Sequence, residues 1–172
     1  HPETEVHGIS RWHSTGSPEN LGQSRDRIVI HECDLTDFSS IFRTINEVQP
    51  DVIFHLASYA NVRAAFITPL AVMHNNVMGT ANLLEAVRLA ENAPVFIMIS
   101  TSEVYGQVDS RDVPIKETCP VKPANPYSVS KTAQDFLSQV YHRSYGMKVI
   151  VTRMFAYLNP RREDLFASSF AR

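Results

Sequence analysis

Ile97-Met98-Ile99-Ser100-Thr101-Ser102-Glu103-Val104-Tyr105-Gly106 is the stretch that decides the fold, read together with Tyr127-Ser128-Val129-Ser130-Lys131 further along the chain. It begins as an apolar run and ends in hydroxyls and a carboxylate, the pattern of a buried strand that delivers polar groups at its carboxyl end. In open α/β sheets that end is where ligands sit. The second stretch opens a helix. Asn125 suits the N-cap, Pro126 suits the first helical position, and residues four apart share a face, so Tyr127 and Lys131 point the same way. Alone, a Tyr-x-x-x-Lys pair reads equally well as two surface residues of a helix. Taken with Thr101 and Glu103 it becomes an acid/base set, in which an ammonium stabilises a phenolate and draws the phenol toward the working pH.

The totals bound the class. A chain of 172 residues with 44% hydrophobic content is one domain or most of one, large enough to bury a core. A net charge of −2 argues against a general nucleic-acid or membrane-surface binder. No apolar run is long enough to span a bilayer and His1 does not open a signal peptide, so the expectation is a soluble, cytoplasmic protein. Cys33 and Cys119 stand far apart without metal-type spacing and read as reduced thiols. The seven histidines show no clustered ligand pattern, so no metal is expected.

In chain order, residues 5–10 read as a strand followed by Arg11, at the place where a nucleotide-binding sheet accommodates a 2′-phosphate; a solvated strand-end arginine is the alternative. Residues 27–33 read as a second strand, closed by Asp34-Leu35-Thr36-Asp37. A helix follows with Phe38, Ile41, Phe42, Ile45 and Val48 at helical spacing before Pro50. Residues 51–58 read as a third strand, apolar on both faces, with the small Ala57 and Ser58 at its end. Residues 70–91 are expected to form one long helix with Val77, Ala81, Leu84 and Val87 as its buried stripe. Asn76 inside that helix needs a reason, because asparagine has poor helix propensity. After the central strand, the loop of residues 107–124 is long enough to cover a site. The helix from Pro126 to about Tyr145 is expected to bury Val129, Ala133, Phe136, Leu137 and Val140, and residues 148–155 read as a fifth strand. Strands alternating with helices in this way imply an α/β doubly wound parallel sheet, Rossmann-like.

Ser-Thr-Ser-Glu-Val-Tyr-Gly at 100–106 followed by Asn-Pro-Tyr-Ser-Val-Ser-Lys at 125–131 resembles the extended short-chain dehydrogenase/reductase family, in particular its nucleotide-sugar 4,6-dehydratases. Val-His-Gly-Ile-Ser-Arg at 6–11 and Pro160-Arg161-Arg162 are similar to the GDP-mannose 4,6-dehydratase branch. The resemblance implies bound NADP, with NAD as the alternative, held by Arg11, Asp34, Leu35, Leu56, Ala57, Ser58, Asn76, Tyr127 and Lys131. It implies Thr101, Glu103, Tyr127 and Lys131 as catalytic residues, and Ser102, Glu103, Arg161 and Arg162 at the nucleotide sugar. It further implies a homo-oligomer, with the loop after Arg11 reaching a neighbouring subunit. Trp12, Ala60, Asn61 and Ala156 depart from the family pattern.

The six glycines are scattered and form no Gly-x-x-Gly-x-x-Gly loop, which a pyrophosphate needs. The chain is therefore read as part of the dinucleotide-binding domain of a longer enzyme, with the glycine loop upstream of His1 and much of the substrate region beyond Arg172. The expected reaction is conversion of GDP-mannose to its 4-keto-6-deoxy product by transient C4 oxidation, C5 deprotonation and loss of water. A carboxylate at Glu103 fits elimination, with a surface or capping residue at a strand end as the alternative. A UDP-glucuronate decarboxylase, a sugar-nucleotide epimerase or a truncated non-catalytic member are the alternatives.

Overall fold

The computed structural model describes residues 3–12 and 18–156. β1 (Val6–Ser10) pairs with β2 (Ile28–Glu32), and a second sheet runs in the order β3 (Val52–His55), β4 (Val95–Thr101), β5 (Val149–Met154). Every pairing is parallel, as the alternation of strands and helices predicts. β4 is central to its sheet and alternates along its length: Phe96, Met98 and Ser100 are buried while Ile97 and Ile99 are half-buried.

α1 (Phe38–Val48) starts where the sequence says it should. The Asp37 carboxylate accepts from the Ser39 N–H, satisfying a backbone donor of the first turn, and Gln49 in the left-handed region ends the helix before Pro50. Its buried Ile41 and Ile45 pack against α4 (Gly79–Leu89) through a cluster that includes Leu83, Leu84 and Val87. The same cluster contains Cys33 and Leu35 after β2, and Phe96 and Met98 on β4, so one core joins the two sheets. A Cβ on Gly79 would come to 3.0 Å from the Leu35 Cβ, and its absence lets α4 sit on the turn after β2.

Three expectations are corrected. The helix expected over 70–91 runs unbroken from Pro69 to Leu89, but as α3 (Pro69–Met73), a π turn at His74–Met78 and α4 rather than as one regular α-helix, and a short α2 (Val62–Ile67) capped by Asn61 precedes it. The wide turn carries Asn76 inward to 1% exposure, where its amide bonds to groups outside the helix. Leu84 and Val87 of the expected stripe are buried, whereas Val77 and Ala81 are half-buried. Next, β3 is not apolar and buried on both faces. It is a short edge strand with Val52 45%, Phe54 62% and the following Leu56 70% exposed.

The third correction concerns α5 (Pro126–Tyr145). Its ends follow the sequence: a capping box between Asn125 and Ser128 opens it, and Gly146 at φ 69 closes it. Its faces do not. Ser128, Ser130, Lys131, Gln134, Asp135 and Ser138 are buried, while Val129, Phe136 and Val140 are each more than 40% exposed. Of the expected stripe, Leu137 packs on the core and Ala133 is half-buried. α5 turns its polar face inward because β3, β4, β5 and the π turn all present hydrogen-bonding partners to it.

The loop after β4 leaves through a 3-10 turn, Ser102–Tyr105, and is pinned at its base. The Lys122 N–H donates to the Val104 carbonyl at 2.9 Å. Gly106 has φ 62, and a Cβ there would overlap the Lys122 carbonyl oxygen, so only glycine fits. Among the described residues no helix is long and apolar enough to cross a membrane.

Candidate active site

The carboxyl end of β4 meets the amino end of α5. Lys131 is 3% exposed and its Nζ donates to the Ile99 carbonyl at 2.5 Å. Burial pushes its pKa from 10.5 to about 8, with the Asp135 carboxylate pulling the other way. Two residues beyond Ile99, Thr101 Oγ1 accepts from the Glu103 N–H at 3.3 Å, which leaves the Thr101 hydroxyl proton to donate elsewhere. Glu103 is half-buried, and its Oε2 accepts from Asn125 Nδ2 at 2.8 Å. Asn125 is the N-cap of α5, so one chain of contacts ties Thr101 and Glu103 to the helix start that carries Tyr127. Tyr127 is half-buried, and its carbonyl accepts from Ser130 Oγ at 2.7 Å. Ser102 lies half-buried between Thr101 and Glu103 in the 3-10 turn.

Asn76 connects this corner to the end of β3. Its Nδ2 donates to Ser130 Oγ at 2.9 Å and to the Tyr59 carbonyl at 3.3 Å, while its Oδ1 accepts from the Tyr59 N–H at 2.7 Å. Arg11, exposed just past β1, donates to the Tyr59 hydroxyl at 3.1 Å and lies over that ring at 5.6 Å from its centroid. After β2, the Asp34 carboxylate accepts from both the amide and the hydroxyl of Thr36 at 2.8 Å. Burial raises its pKa, but the Thr36 bonds and the charges of Arg11 and His74 outweigh this and hold it below its ordinary value.

Arg11, Asp34, Leu56, Ala57 and Ser58 therefore stand at the carboxyl ends of β1, β2 and β3, along the line where a dinucleotide lies across such a sheet. Ser58 Oγ is buried with no hydrogen-bond partner among the described residues, a donor and acceptor left over for a bound group. The donor set fits one edge of a dinucleotide: a cation at the end of β1, a carboxylate at the end of β2 and small residues at the end of β3. Leu35 differs from its neighbours. It is buried in the core beneath Gly79, and its carbonyl accepts from Asn82 Nδ2 at 3.0 Å. Arg161 and Arg162 lie outside the described residues.

Several buried polar residues were not singled out from the sequence. His55 is 3% exposed on β3, and burial together with the Lys131 charge lowers its pKa from 6.5 to about 3, so it is neutral. Its Nε2 lies 2.7 Å from Thr80 Oγ1, which also accepts from Gln134 Nε2 at 2.6 Å and donates to the Asn76 carbonyl at 2.7 Å. Asp135 and Arg153 form an ion pair at 2.9 Å beside this network. Their signals were a histidine and an arginine inside apolar strand runs, and an aspartate four residues past Lys131. Among the described residues no group of three His, Cys, Asp or Glu side chains is placed to hold a metal ion.

A family model described as GDP-mannose 4,6 dehydratase matches residues 1–170. The chain is 34% identical over 173 residues to the GDP-mannose 4,6-dehydratase of Yersinia enterocolitica, covering 95% of this chain and 46% of that enzyme. Among solved structures, RMD from Pseudomonas aeruginosa complexed with NADPH aligns with a TM-score of 0.79 at 29% identity, covering 98% of this chain and 59% of that one. A double mutant of DesIV, the dTDP-glucose 4,6-dehydratase of Streptomyces venezuelae, with NAD and DAU bound, aligns with a TM-score of 0.85 at 27% identity, covering 96% and 51%. The chain thus spans about half the length of the curated relatives it matches.

Proposed function

The chain belongs to the GDP-mannose 4,6-dehydratase family, and from that premise we propose that the protein converts GDP-mannose to GDP-4-keto-6-deoxymannose with bound NADP, as a homo-oligomer in the cytoplasm. Residues 1–172 would form part of its dinucleotide-binding domain. Two facts support the latter: the relatives are about twice as long, and among the described residues β1 and β3 each pair on one side only, exposing Val6, Ile9 and Phe54 and, just after β3, Leu56. The exposed Val129, Phe136 and Val140 on α5 support self-association through that face.

The observation that carries the reading is the contact chain from Thr101 through Glu103 to Asn125, with Lys131 buried against the strand that delivers Thr101. When bound, the cofactor would supply a reversible hydride carrier between C4 and C6 of the sugar. Arg11 and Asp34 would hold its adenosine end, with Ala57 and Ser58 along the middle and the buried Asn76 bracing the Tyr59 backbone beside them. Lys131 favours the phenolate of Tyr127, which removes the C4 hydroxyl proton, and the Thr101 hydroxyl donates to the same oxygen. The 4-keto group acidifies C5–H. Glu103, steadied through Oε2 by Asn125, takes the C5 proton through its other oxygen and passes it to the C6 hydroxyl, which departs as water; C5 is reprotonated when hydride reaches C6, which balances the proton Tyr127 took from the C4 hydroxyl.

Incubating the full-length protein with GDP-mannose and NADP should give the 4-keto-6-deoxy product. Glu103→Gln should stop water loss while sparing C4 oxidation, and dehydration persisting in that variant removes Glu103 from the mechanism. A C4 epimer without water loss would point to epimerase chemistry instead.

A further inference from the structure

Asp135 lies one turn beyond Lys131 on α5 and is 1% exposed. Its Oδ2 accepts from Ser100 Oγ and from Arg153 Nε, both at 2.9 Å, and its Oδ1 accepts from Gln139 Nε2 at 2.6 Å and from a terminal nitrogen of Arg153 at 3.4 Å. Arg153, on β5, uses its other terminal nitrogen to donate to the Tyr105 hydroxyl at 3.0 Å and to the Glu117 carbonyl at 3.1 Å. Its guanidinium also lies over the Tyr105 ring, 5.1 Å from the centroid. One arginine thus fastens together β5, α5, the turn that carries Glu103, and the loop after it.

On β4, adjacent residues hold successive turns of α5: the Ile99 carbonyl receives Lys131 and the Ser100 hydroxyl reaches Asp135. A buried ion pair is a poor device for stability alone, because desolvation offsets most of its attraction. It is a good device for fixing register, because neither partner tolerates being left unpaired. We propose that Asp135 and Arg153 are positioning residues for the catalytic set, clamping α5 to β4 so that Lys131 is held at the Ile99 carbonyl and the Glu103 turn at the helix start. The proposal rests on the dehydratase reading only for its kinetic readout.

Of the charged and titratable groups on the elements around Lys131, Asp135 acts on its charge, the neutral His55 from β3 feels it, and Arg153 from β5 reaches it by way of Asp135; Tyr127 lies on its own helix and Glu103 on the turn after β4. The Asp135 carboxylate, paired with Arg153, favours the Lys131 ammonium. In Asp135→Asn the anion is gone and the Arg153 cation is left uncompensated. Both changes disfavour the ammonium, so Lys131 must titrate lower.

The test uses the full-length protein with isotope-labelled lysine, its Lys131 signal assigned by Lys131→Met. In Asp135→Asn the Lys131 midpoint should fall by about one pH unit or more. The turnover number on GDP-mannose should drop about 10–100-fold, with KM within about threefold, because a small misplacement of a reacting group costs that much. Arg153→Lys keeps the cation but loses the fork, so the midpoint should stay near wild type while turnover falls through the lost Tyr105 and Glu117 contacts. An unmoved midpoint in Asp135→Asn, or wild-type turnover in Arg153→Lys, overturns the proposal. Should Asp135→Asn not fold, the Arg153→Lys turnover decides. If the wild-type protein transforms no nucleotide sugar, the dehydratase reading fails, and the Lys131 titration still decides this inference.

Discussion

α1 and α5 flank the same core and are built on opposite plans. α1 buries Ile41 and Ile45, with only the small hydroxyl residues Ser40 and Thr44 beside them, and turns its charges outward. α5 buries three serines, a lysine, a glutamine and an aspartate and leaves Val129, Phe136 and Val140 exposed. A helix that only stabilises follows the apolar periodicity of its sequence. A helix that carries a site can invert it, because its buried polar groups find partners on the strands beside it and its apolar groups wait for another surface.

The sharpest way to break this comparison is chemical. Tyr127→Phe in the full-length protein should lower turnover of GDP-mannose by about 10²–10⁴-fold, the usual contribution of a general base, whereas Phe42→Leu on α1 should change turnover little. Turnover assays on both separate a helix that reacts from one that packs.

Stability should be sensitive in both helices for different reasons. Asp135→Ala leaves the Arg153 guanidinium without its carboxylate and should cost about 3–5 kcal/mol. Ile41→Ala, at a site 1% exposed, should cost about 2–5 kcal/mol by opening a cavity. Urea unfolding reads both. If the double variant Asp135→Leu/Arg153→Met recovers most of the loss while Ile41→Ala has no such remedy, the two helices differ as described.

The deeply buried groups that titrate lie on the α5 side. Lys131 holds its proton to about pH 8 when folded and to 10.5 when unfolded, so the unfolded chain binds more protons in between. Stability should therefore rise with pH across that window, by at most about 1.4 kcal/mol per unit, and Lys131→Met should flatten the rise. His55 refuses a proton until about pH 3 when folded, against 6.5 otherwise, so stability should fall as pH drops through that interval. The buried residues of α1 include no ionisable group and add nothing to either slope.

The smallest expected effect is on the outer face. Phe136→Ser, at a position 47% exposed, should change folding stability by no more than about 0.5 kcal/mol. Sedimentation of the full-length protein should nonetheless show weakened self-association. A large loss of stability instead would mean that this face packs within the chain.

What could be read in the sequence follows the same division. Strand and helix positions, the Asp37 and Asn125 caps, and the meeting of Thr101, Glu103 and the α5 start were legible, because capping and periodicity act locally. Asn76 announced itself as a misfit in a helix, though not the π turn that hosts it. The burial of Lys131 and its neighbours was not legible, since Val129, Phe136 and Val140 satisfy a helical stripe and nothing local says that the other face wins. Asp135 and Arg153 are separated by a whole helix end and strand, and their pairing exists only once β5 lies beside β4.

The closure at Gly106 and Lys122 has an evolutionary corollary. Because the two strands of that neck meet through backbone, the segment between them is closed at its base and is tied to the groups beneath it where Arg153 meets the Glu117 carbonyl. Doubling such a segment costs only about 0.6 kcal/mol in closure entropy. Descendants of this chain can therefore change the length of this segment away from Glu117, provided the glycine at the hinge is kept.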